Sequence, residues 1–196
     1  MTAFDLYSLG HSSVAEIRFV AMLRAAGVNA VADVRSVPFS RFCPWFSAKN
    51  LVPSLAEQGI AYLWYGEALG GRPHDPGLYC DGIADYEAMA RRPEFEAALA
   101  RLQADAARHR VCVMCAEREP LDCHRCLLVA RALAARGATV GHILHDGAIE
   151  PHAATERRLL DLAADDGDMF VPLQQDRLAA AYRRRSRAVA YRARSN

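Results

Sequence analysis

No apolar run in the 196-residue sequence approaches the length needed to span a membrane. A hydrophobic leader is also missing, because the first residues do not resemble a signal peptide. The net charge is only +1, so the chain lacks the strong positive charge on which non-specific nucleic-acid binding usually depends. These absences predict a cytoplasmic protein without a membrane partner, in which the six cysteines are reduced, catalytic or metal-bound.

Length and hydrophobic content predict one folded domain with an extension. A chain of 196 residues with 52% hydrophobic content can bury one full α/β core, and it contains no internal repeat or linker. We expect residues 1–150 to form this domain and residues 151–196 to form a helical, Arg-rich extension. Residues 176–196 contain seven arginines and a single acidic residue, Asp176. This basic extension could contact nucleic acid or present solvated side chains.

Apolar runs alternate with helical patterns along the first 150 residues. Five of the runs have the length of strands, and they cover residues 5–9, 28–34, 60–65, 110–115 and 139–144. Helical patterns separate them, with short turns between the elements. This order predicts an α/β fold whose mainly parallel sheet carries helices on both faces.

Local signals predict where helices begin and where the chain is irregular. Ser13 and Glu16 form a capping box for the first helix, and Asp122 is suited to cap a helix that holds the following thiols. The stretch from Gly66 to Gly82 has no period and is rich in Gly, Pro and Asp, which predicts a long surface loop. Further helices are expected at residues 83–90, 93–109, 153–164 and 174–190.

Three polar clusters fall where predicted strands end. They are Gly10-His11-Ser12, Asp33-Val34-Arg35 and Cys115-Ala116-Glu117. Because open α/β sheets bind ligands outside the carboxyl ends of their strands, these clusters predict a site. A fourth cluster, Cys123-His124-Arg125, lies in the first turn of the next predicted helix, where unpaired N–H groups favour negative charge.

The first hypothesis is a Cys-dependent hydrolase or transferase that acts on an anionic substrate. Cys115 and Cys123 are the candidate nucleophiles, and the helix N-terminus would lower the pKa of Cys123. Glu117, His124 and His11 are the candidate bases. Three arginines supply anion-binding groups, namely Arg35, Arg72 and Arg125. Since arginine recognises phosphate, a nucleotide or a nucleic-acid end would suit such a site.

The second hypothesis is a metal centre. Two CxxC pairs, Cys112 with Cys115 and Cys123 with Cys126, form a pattern typical of zinc sites. Residues three apart in a strand point to opposite faces, however, so we expect Cys112 to lie in the core. No cofactor is predicted outright, but a smaller set could hold zinc or iron, namely Cys115, Cys123 and either His124 or His11. A redox pair of Cys115 with Cys123 also stays open.

The third hypothesis is a module that binds a nucleotide or nucleic acid without catalysis. The phosphates would contact Arg35, Arg41 and Arg72. Bases would stack on aromatic side chains, for which the candidates are Trp45, Phe46 and Tyr62. Binding dominated by phosphate contacts would weaken as the salt concentration rises.

Six motifs, taken in order, resemble the domain of unknown function 488 family. They are GHS at 10–12, DVRSVPFSR at 33–41, LGGR at 69–72, CAE at 115–117, CHR at 123–125 and VGHI at 140–143. The resemblance extends from about Leu6 to Asp146, and it implies an α/β fold and a shared set of site residues without an established reaction. It adds further candidates for the anion-binding side, namely Ser12, Asp33, Ser40, Arg41, Gly70 and Gly71.

Overall fold

A computed structural model describes residues 4–165 and 174–193. Its strands are β1 (Leu6–Gly10), β2 (Ala30–Asp33), β3 (Ala61–Trp64), β4 (Tyr79–Cys80), β5 (Ile83–Ala84), β6 (Val111–Cys115), β7 (Val140–Ile143) and β8 (Ile149–Pro151). Its α-helices are α1 (Glu16–Ala25), α2 (Ala48–Glu57), α3 (Gly66–Leu69), α4 (Tyr86–Ala90), α5 (Pro93–Ala106), α6 (Arg131–Ala135), α7 (His152–Asp165) and α8 (Gln174–Val189). Three 3₁₀ turns cover Pro44–Phe46, Pro76–Leu78 and Pro120–Asp122, and a π-helical segment, Arg125–Ala130, leads directly into α6.

Six of the strands form one sheet in the order β3-β2-β6-β1-β7-β8. Every pairing in it is parallel except that of the edge strand β8 with β7. The predicted α/β fold with a mainly parallel sheet and a C-terminal helical extension is therefore confirmed. Strand β6 lies between β2 and β1, so the three strands that carry the predicted polar clusters are direct neighbours.

Apolar side chains cover both faces of the sheet, as expected for buried parallel strands. Alternate residues of β6 enter different cores. Cys112 and Met114 pack in the core formed with α1 and α2, whereas Val113 and Cys115 pack in the core on the opposite face. The strand geometry thus separates Cys112 from Cys115, and a zinc site that uses both CxxC pairs does not form.

Two predicted helix caps are wrong. Helix α1 follows Ala15 without a side-chain cap, so Ser13 does not form a capping box. Asp122 belongs to a 3₁₀ turn, and its carboxylate pairs with Arg185 of α8 instead of with the helix that follows. For Asp122 the chain has a longer-range partner, Arg185, that the local pattern does not reveal.

The expected loop at residues 66–82 is more ordered than its composition indicates. It contains α3, the 3₁₀ turn Pro76–Leu78 and strand β4. The helix expected at residues 83–90 is also wrong at its start, because Ile83–Ala84 forms strand β5 and pairs with β4. The backbone N–H of Ala84 donates to the carbonyl of Tyr191, so this hairpin also holds the C-terminal segment.

The C-terminal extension packs on the domain. Helices α7 and α8 contact each other, and buried Tyr182 of α8 joins the core that contains Cys115. The predicted boundary between domain and extension, at residue 150, falls within strand β8, which spans residues 149–151. That boundary stays a prediction. No helix in the described ranges is long and apolar enough to cross a membrane.

Candidate functional site

The candidate site begins where β1 and β6 end side by side. Beyond the last paired strand residues, the N–H of His11 donates to the carbonyl of Cys115 at 2.9 Å, and the N–H of Ser12 donates to that of Ala116 at 2.8 Å. Gly10 permits this approach, because a Cβ atom there would lie 1.6 Å from the carbonyl oxygen of Glu117. Ser12 then turns the chain away with a φ of 47°.

Four side chains converge beside these strand ends, and we call them the thiol cluster: Cys115, Glu117, Cys123 and His124. Glu117 Oε2 lies 3.0 Å from the sulfur of Cys115 and 2.9 Å from the sulfur of Cys123. His124 Nδ1 lies 3.7 Å from the first sulfur and 4.0 Å from the second. These four were predicted as catalytic residues, and strand β6 and the start of the following helix bring them together.

A backbone contact orients the imidazole of His124. Its Nε2 lies 2.9 Å from the carbonyl oxygen of Val34, just after β2. A carbonyl only accepts hydrogen bonds, so Nε2 carries the proton and Nδ1 faces the two thiols. Gly71 leaves room for this ring, because a Cβ atom there would lie 2.8 Å from His124 Cγ.

Burial and mutual contact shift the pKa values of the two thiols in opposite directions. Burial raises the pKa of Cys115 well above its usual value, and Cys123 and Glu117 add to that rise. Burial would also raise the pKa of Cys123, but the hydrogen bond from Cys115 and the charges of Arg125 and His124 hold it well below its usual value. The cluster therefore favours one thiol, Cys115, and one thiolate, Cys123.

Arg125 supports the cluster from behind. Its side chain is 1% exposed, and its guanidinium donates to the carbonyls of Glu117 at 2.6 Å and Arg118 at 3.0 Å. Its Nε has no hydrogen-bond partner among the residues that the structure describes, and its backbone N–H donates to the sulfur of Cys123 at 3.4 Å. Predicted as an anion-binding group, Arg125 instead holds the loop that carries Glu117 and supplies buried positive charge beside the thiols.

A second buried group joins β1 to β2. Arg35 donates to both carboxylate oxygens of Asp33, the shortest contact being 2.6 Å, and it also lies 3.2 Å from His11 Nε2. His11 Nδ1 lies 2.7 Å from the carbonyl oxygen of Ser12, and its ring stacks on Phe46. Burial lowers the pKa of His11 to about 4, so it is neutral near pH 7. With both nitrogens engaged, His11 orients Arg35 and is a poor base.

A pocket of about 460 Å³ opens beside these groups. Its lining includes three members of the thiol cluster, Cys115, Glu117 and His124, but not Cys123. The rest of the lining consists of Arg35, Ser36, Val37, Phe39, Gly71, Arg72, Tyr86, Ala116, Asp122, Val189 and Tyr191. Reactive, cationic and aromatic side chains thus share one cavity.

Arg72 reaches the pocket from the segment after α3. Its N–H donates to Ser36 Oγ at 3.0 Å, and its guanidinium lies 4.9 Å from the centre of the Tyr191 ring. Its side chain is exposed, and no carboxylate among residues 4–165 and 174–193 forms an ion pair with it. Arg72 is therefore better placed than Arg35, which Asp33 neutralises, to attract an anion.

The sequence reasoning missed Val189 and Tyr191, which form the C-terminal wall of the pocket. Val189 ends the Arg-rich helix α8 and Tyr191 follows it, and nothing in the local sequence links either residue to β6. Tyr86 also lines the pocket although its side chain is buried. Exposed Phe39 lines it too, and the one signal in the sequence is its place in the DVRSVPFSR motif, next to Ser40.

Six predicted anion-binding residues do not line the pocket, namely Ser12, Asp33, Ser40, Arg41, Gly70 and Arg125. The Oγ of Ser40 accepts a bond from the N–H of Cys43, so this serine braces its own loop. Arg41 is exposed outside the pocket. Gly70 packs tightly, because a Cβ atom there would lie 2.2 Å from Ser36 Oγ.

A chain of buried hydrogen bonds lies beyond the thiol cluster, and we call it the histidine chain: Ser8, His142, His152, Tyr182 and Glu156. The Tyr182 hydroxyl donates its single proton to the Glu156 carboxylate at 3.0 Å. Its oxygen therefore accepts a hydrogen bond from His152 Nε2 at 3.1 Å. His152 Nδ1 then accepts from His142 at 2.9 Å, and His142 accepts from Ser8 at 2.6 Å. Burial lowers the pKa of both histidines, which suits this neutral chain.

Two groups of side chains in the described ranges could hold a metal ion. One is the thiol cluster, and the other comprises Cys126, His142 and His152; in each, the ligand atoms lie within 4.8 Å of one another. In the second group the histidine chain already satisfies the imidazole nitrogens. The thiol cluster is the group that reaches the pocket.

Comparison with known families identifies one match. The model of the family described as "Domain of unknown function DUF488" matches residues 17–132, more than half of the chain. This range includes both thiols of the cluster and leaves the GHS and VGHI motifs and the C-terminal wall outside. No curated protein and no solved structure matches the chain. With its strand-end motifs and its α/β fold in agreement, the chain belongs to the DUF488 family.

Proposed function

We propose that the protein is an enzyme, a hydrolase or transferase, that acts on a phosphate-bearing substrate such as a nucleotide. The observation that carries this proposal is the shared lining of one pocket, in which Arg72 lies with Cys115, Glu117 and His124. An arginine without a carboxylate partner favours an anion, and the thiol cluster offers nucleophilic, acid–base or metal-binding groups beside it.

A small anionic ligand fits the pocket better than a long nucleic acid. The cavity is of the size that encloses small molecules, at about 460 Å³. Arginines of the C-terminal extension are largely engaged within the protein: Arg183 pairs with Glu87, Arg185 with Asp122 and Arg187 with Asp81. These pairs leave less of the basic surface for phosphate contacts. All six cysteines are free, which suits the reducing cytoplasm that we propose as its location.

The first test replaces Arg72 with alanine. Because Arg72 supplies the cation that the substrate anion would contact, we expect Arg72→Ala to weaken binding of AMP about 10- to 100-fold. Isothermal titration calorimetry measures this affinity. Arg101→Ala is the matched control, since Arg101 also lies over a tyrosine ring, that of Tyr65, but outside the pocket. Equal affinity of the Arg72 variant and the unaltered protein would contradict the proposal.

The second test removes the sulfur that faces the pocket. We expect Cys115→Ser to lower the release of phosphate from nucleotides about 1,000-fold or more while AMP binding persists. Cys80→Ser is the control, because Cys80 is exposed and does not line this pocket. If both variants leave a measured turnover unchanged, the thiol cluster is not the reactive centre. Binding without any Cys115-dependent turnover would favour the non-catalytic binding module.

A further inference from the structure

We propose that the thiol cluster binds one zinc ion. This inference rests on the proposed function only in placing the reactive centre at this cluster, and it specifies the cofactor that the centre would use. Four donor types meet there: two thiols, a carboxylate and an imidazole nitrogen, all within 4.8 Å of one another.

The spacing of the four atoms is close to that of a tetrahedral site. Zinc bonds of about 2.3 Å to sulfur and about 2.0 Å to nitrogen or oxygen place neighbouring ligand atoms about 3.5 Å apart. In the structure, His124 Nδ1 lies 3.7 and 4.0 Å from the two sulfurs, and Glu117 Oε2 lies 3.0 and 2.9 Å from them. Shifts of a few tenths of an ångström, most of them in the Glu117 side chain, would bring these four distances to those of a tetrahedral site, and the other two ligand pairs lie within 4.8 Å.

The surroundings orient the donors as they are oriented in metal sites. Ligating histidines usually donate their second ring N–H to a backbone carbonyl or a carboxylate. His124 does so toward Val34, so Nδ1 is the ring nitrogen that faces the sulfurs and would bind the ion once it has lost any proton. The sulfur of Cys123 accepts the backbone N–H of Arg125, a contact that favours a thiolate.

The charge balance also favours a cation. The carboxylate oxygen of exposed Glu117 lies within 3.0 Å of two buried sulfurs, so these three atoms need either protons or a positive ion between them. With Zn²⁺, two thiolates and the carboxylate leave a net charge of −1. Arg125 lies behind the cluster, where it donates to the carbonyl oxygens of Glu117 and Arg118, and its guanidinium would offset that charge.

The ion would be accessible to a substrate. Cys115, Glu117 and His124 line the pocket, whereas Cys123 closes the site from behind. Four protein ligands leave no open position on the ion, so a phosphoryl oxygen would bind it by displacing the Glu117 carboxylate, which lines the pocket, and zinc would then act as a Lewis acid toward that oxygen. The mixed sulfur, nitrogen and oxygen donor set suits zinc better than the oxygen-loving magnesium or calcium.

The test uses the full chain, freed of metal with a chelator and titrated with Co²⁺ as a spectroscopic substitute for Zn²⁺. We expect one Co²⁺ per chain, with the near-ultraviolet absorption of cobalt–thiolate bonds, and loss of that absorption when Zn²⁺ is added. Cys115→Ser and Cys123→Ser should each lose the signal. Cys126→Ser should keep it, because Cys126 belongs to the other potential metal group.

Circular dichroism checks that each variant folds. A second measurement needs no variant: Zn²⁺ should protect Cys115 and Cys123 of the unaltered protein from iodoacetamide, as mass spectrometry of the peptides would show. Absence of a cobalt–thiolate signal, or its loss in the Cys126 variant alone, overturns the zinc site. AMP binding that still depends on Arg72 would then leave the proposed function standing, whereas cobalt binding without anion binding would overturn the function and not the metal.

Discussion

Replacing Gly10 with alanine should destabilise the protein by about 3 kcal/mol or more. The added Cβ atom would lie 1.6 Å from the carbonyl oxygen of Glu117 and 2.9 Å from a guanidinium nitrogen of Arg125. The first of these is backbone, so relief requires β1 and the loop after β6 to separate. Urea unfolding would measure the loss of stability. Separation of β1 from the loop should also weaken AMP binding, because Glu117 would move.

Gly77→Ala is the control for this change. Gly77 lies in the turn Pro76–Leu78, and a Cβ atom there would first meet the carboxylate of Asp75 at 3.1 Å. That side chain can move, so we expect a change of about 1 kcal/mol or less. If Gly10→Ala lowers the free energy of unfolding by no more than the control does, β1 and the Glu117 loop do not approach each other as closely as the 1.6 Å distance implies.

The second large effect is expected from Arg125→Met, which should cost about 3 kcal/mol and loosen the Glu117 loop. Methionine fills a similar volume but leaves the carbonyls of Glu117 and Arg118 without their donors. It also removes the positive charge beside Cys123. Thermal and urea unfolding would measure the stability, and alkylation rates of Cys115 would report the loosening.

Two comparisons separate the causes in this case. Arg125→Lys keeps the charge but cannot donate to both carbonyls with the planar geometry of a guanidinium, so its stability should lie between those of the unaltered protein and the methionine variant. Arg101→Met should change stability by about 1 kcal/mol or less, because Arg101 is exposed. A methionine variant at position 125 as stable as that control would show that the loop does not depend on Arg125.

The position of the site could be predicted because it depends on strand ends. A hydrophobic run such as Val111–Cys115 identifies a buried strand, and the fold places polar residues after it at a binding edge. The convergence of Cys115 with Cys123 also follows from a short loop. The order of the strands could not be predicted, since nothing in the runs themselves states that β6 pairs with both β1 and β2.

Several side chains have partners that their residue type does not reveal. Asp122 has the right side chain for a helix cap, but Arg185, 63 residues later, pairs with it. His11 has the right chemistry for a base, yet Arg35 and the Ser12 carbonyl occupy its two nitrogens. Arg125 has the right group for an anion and is used on backbone carbonyls. Residue type predicts what a side chain can do, and only the three-dimensional contacts decide which partner it has.

The C-terminal wall has a consequence for how selectivity is distributed along the chain. The groups proposed to react lie within the family match, at residues 17–132, while Val189 and Tyr191 lie beyond it. Tyr191 is held by the β4–β5 hairpin and lies beneath Arg72, so its ring would meet whatever part of a substrate projects from the anion. Under the proposed function, substitutions in the C-terminal segment should therefore change which substrates bind while the residues proposed to react stay the same.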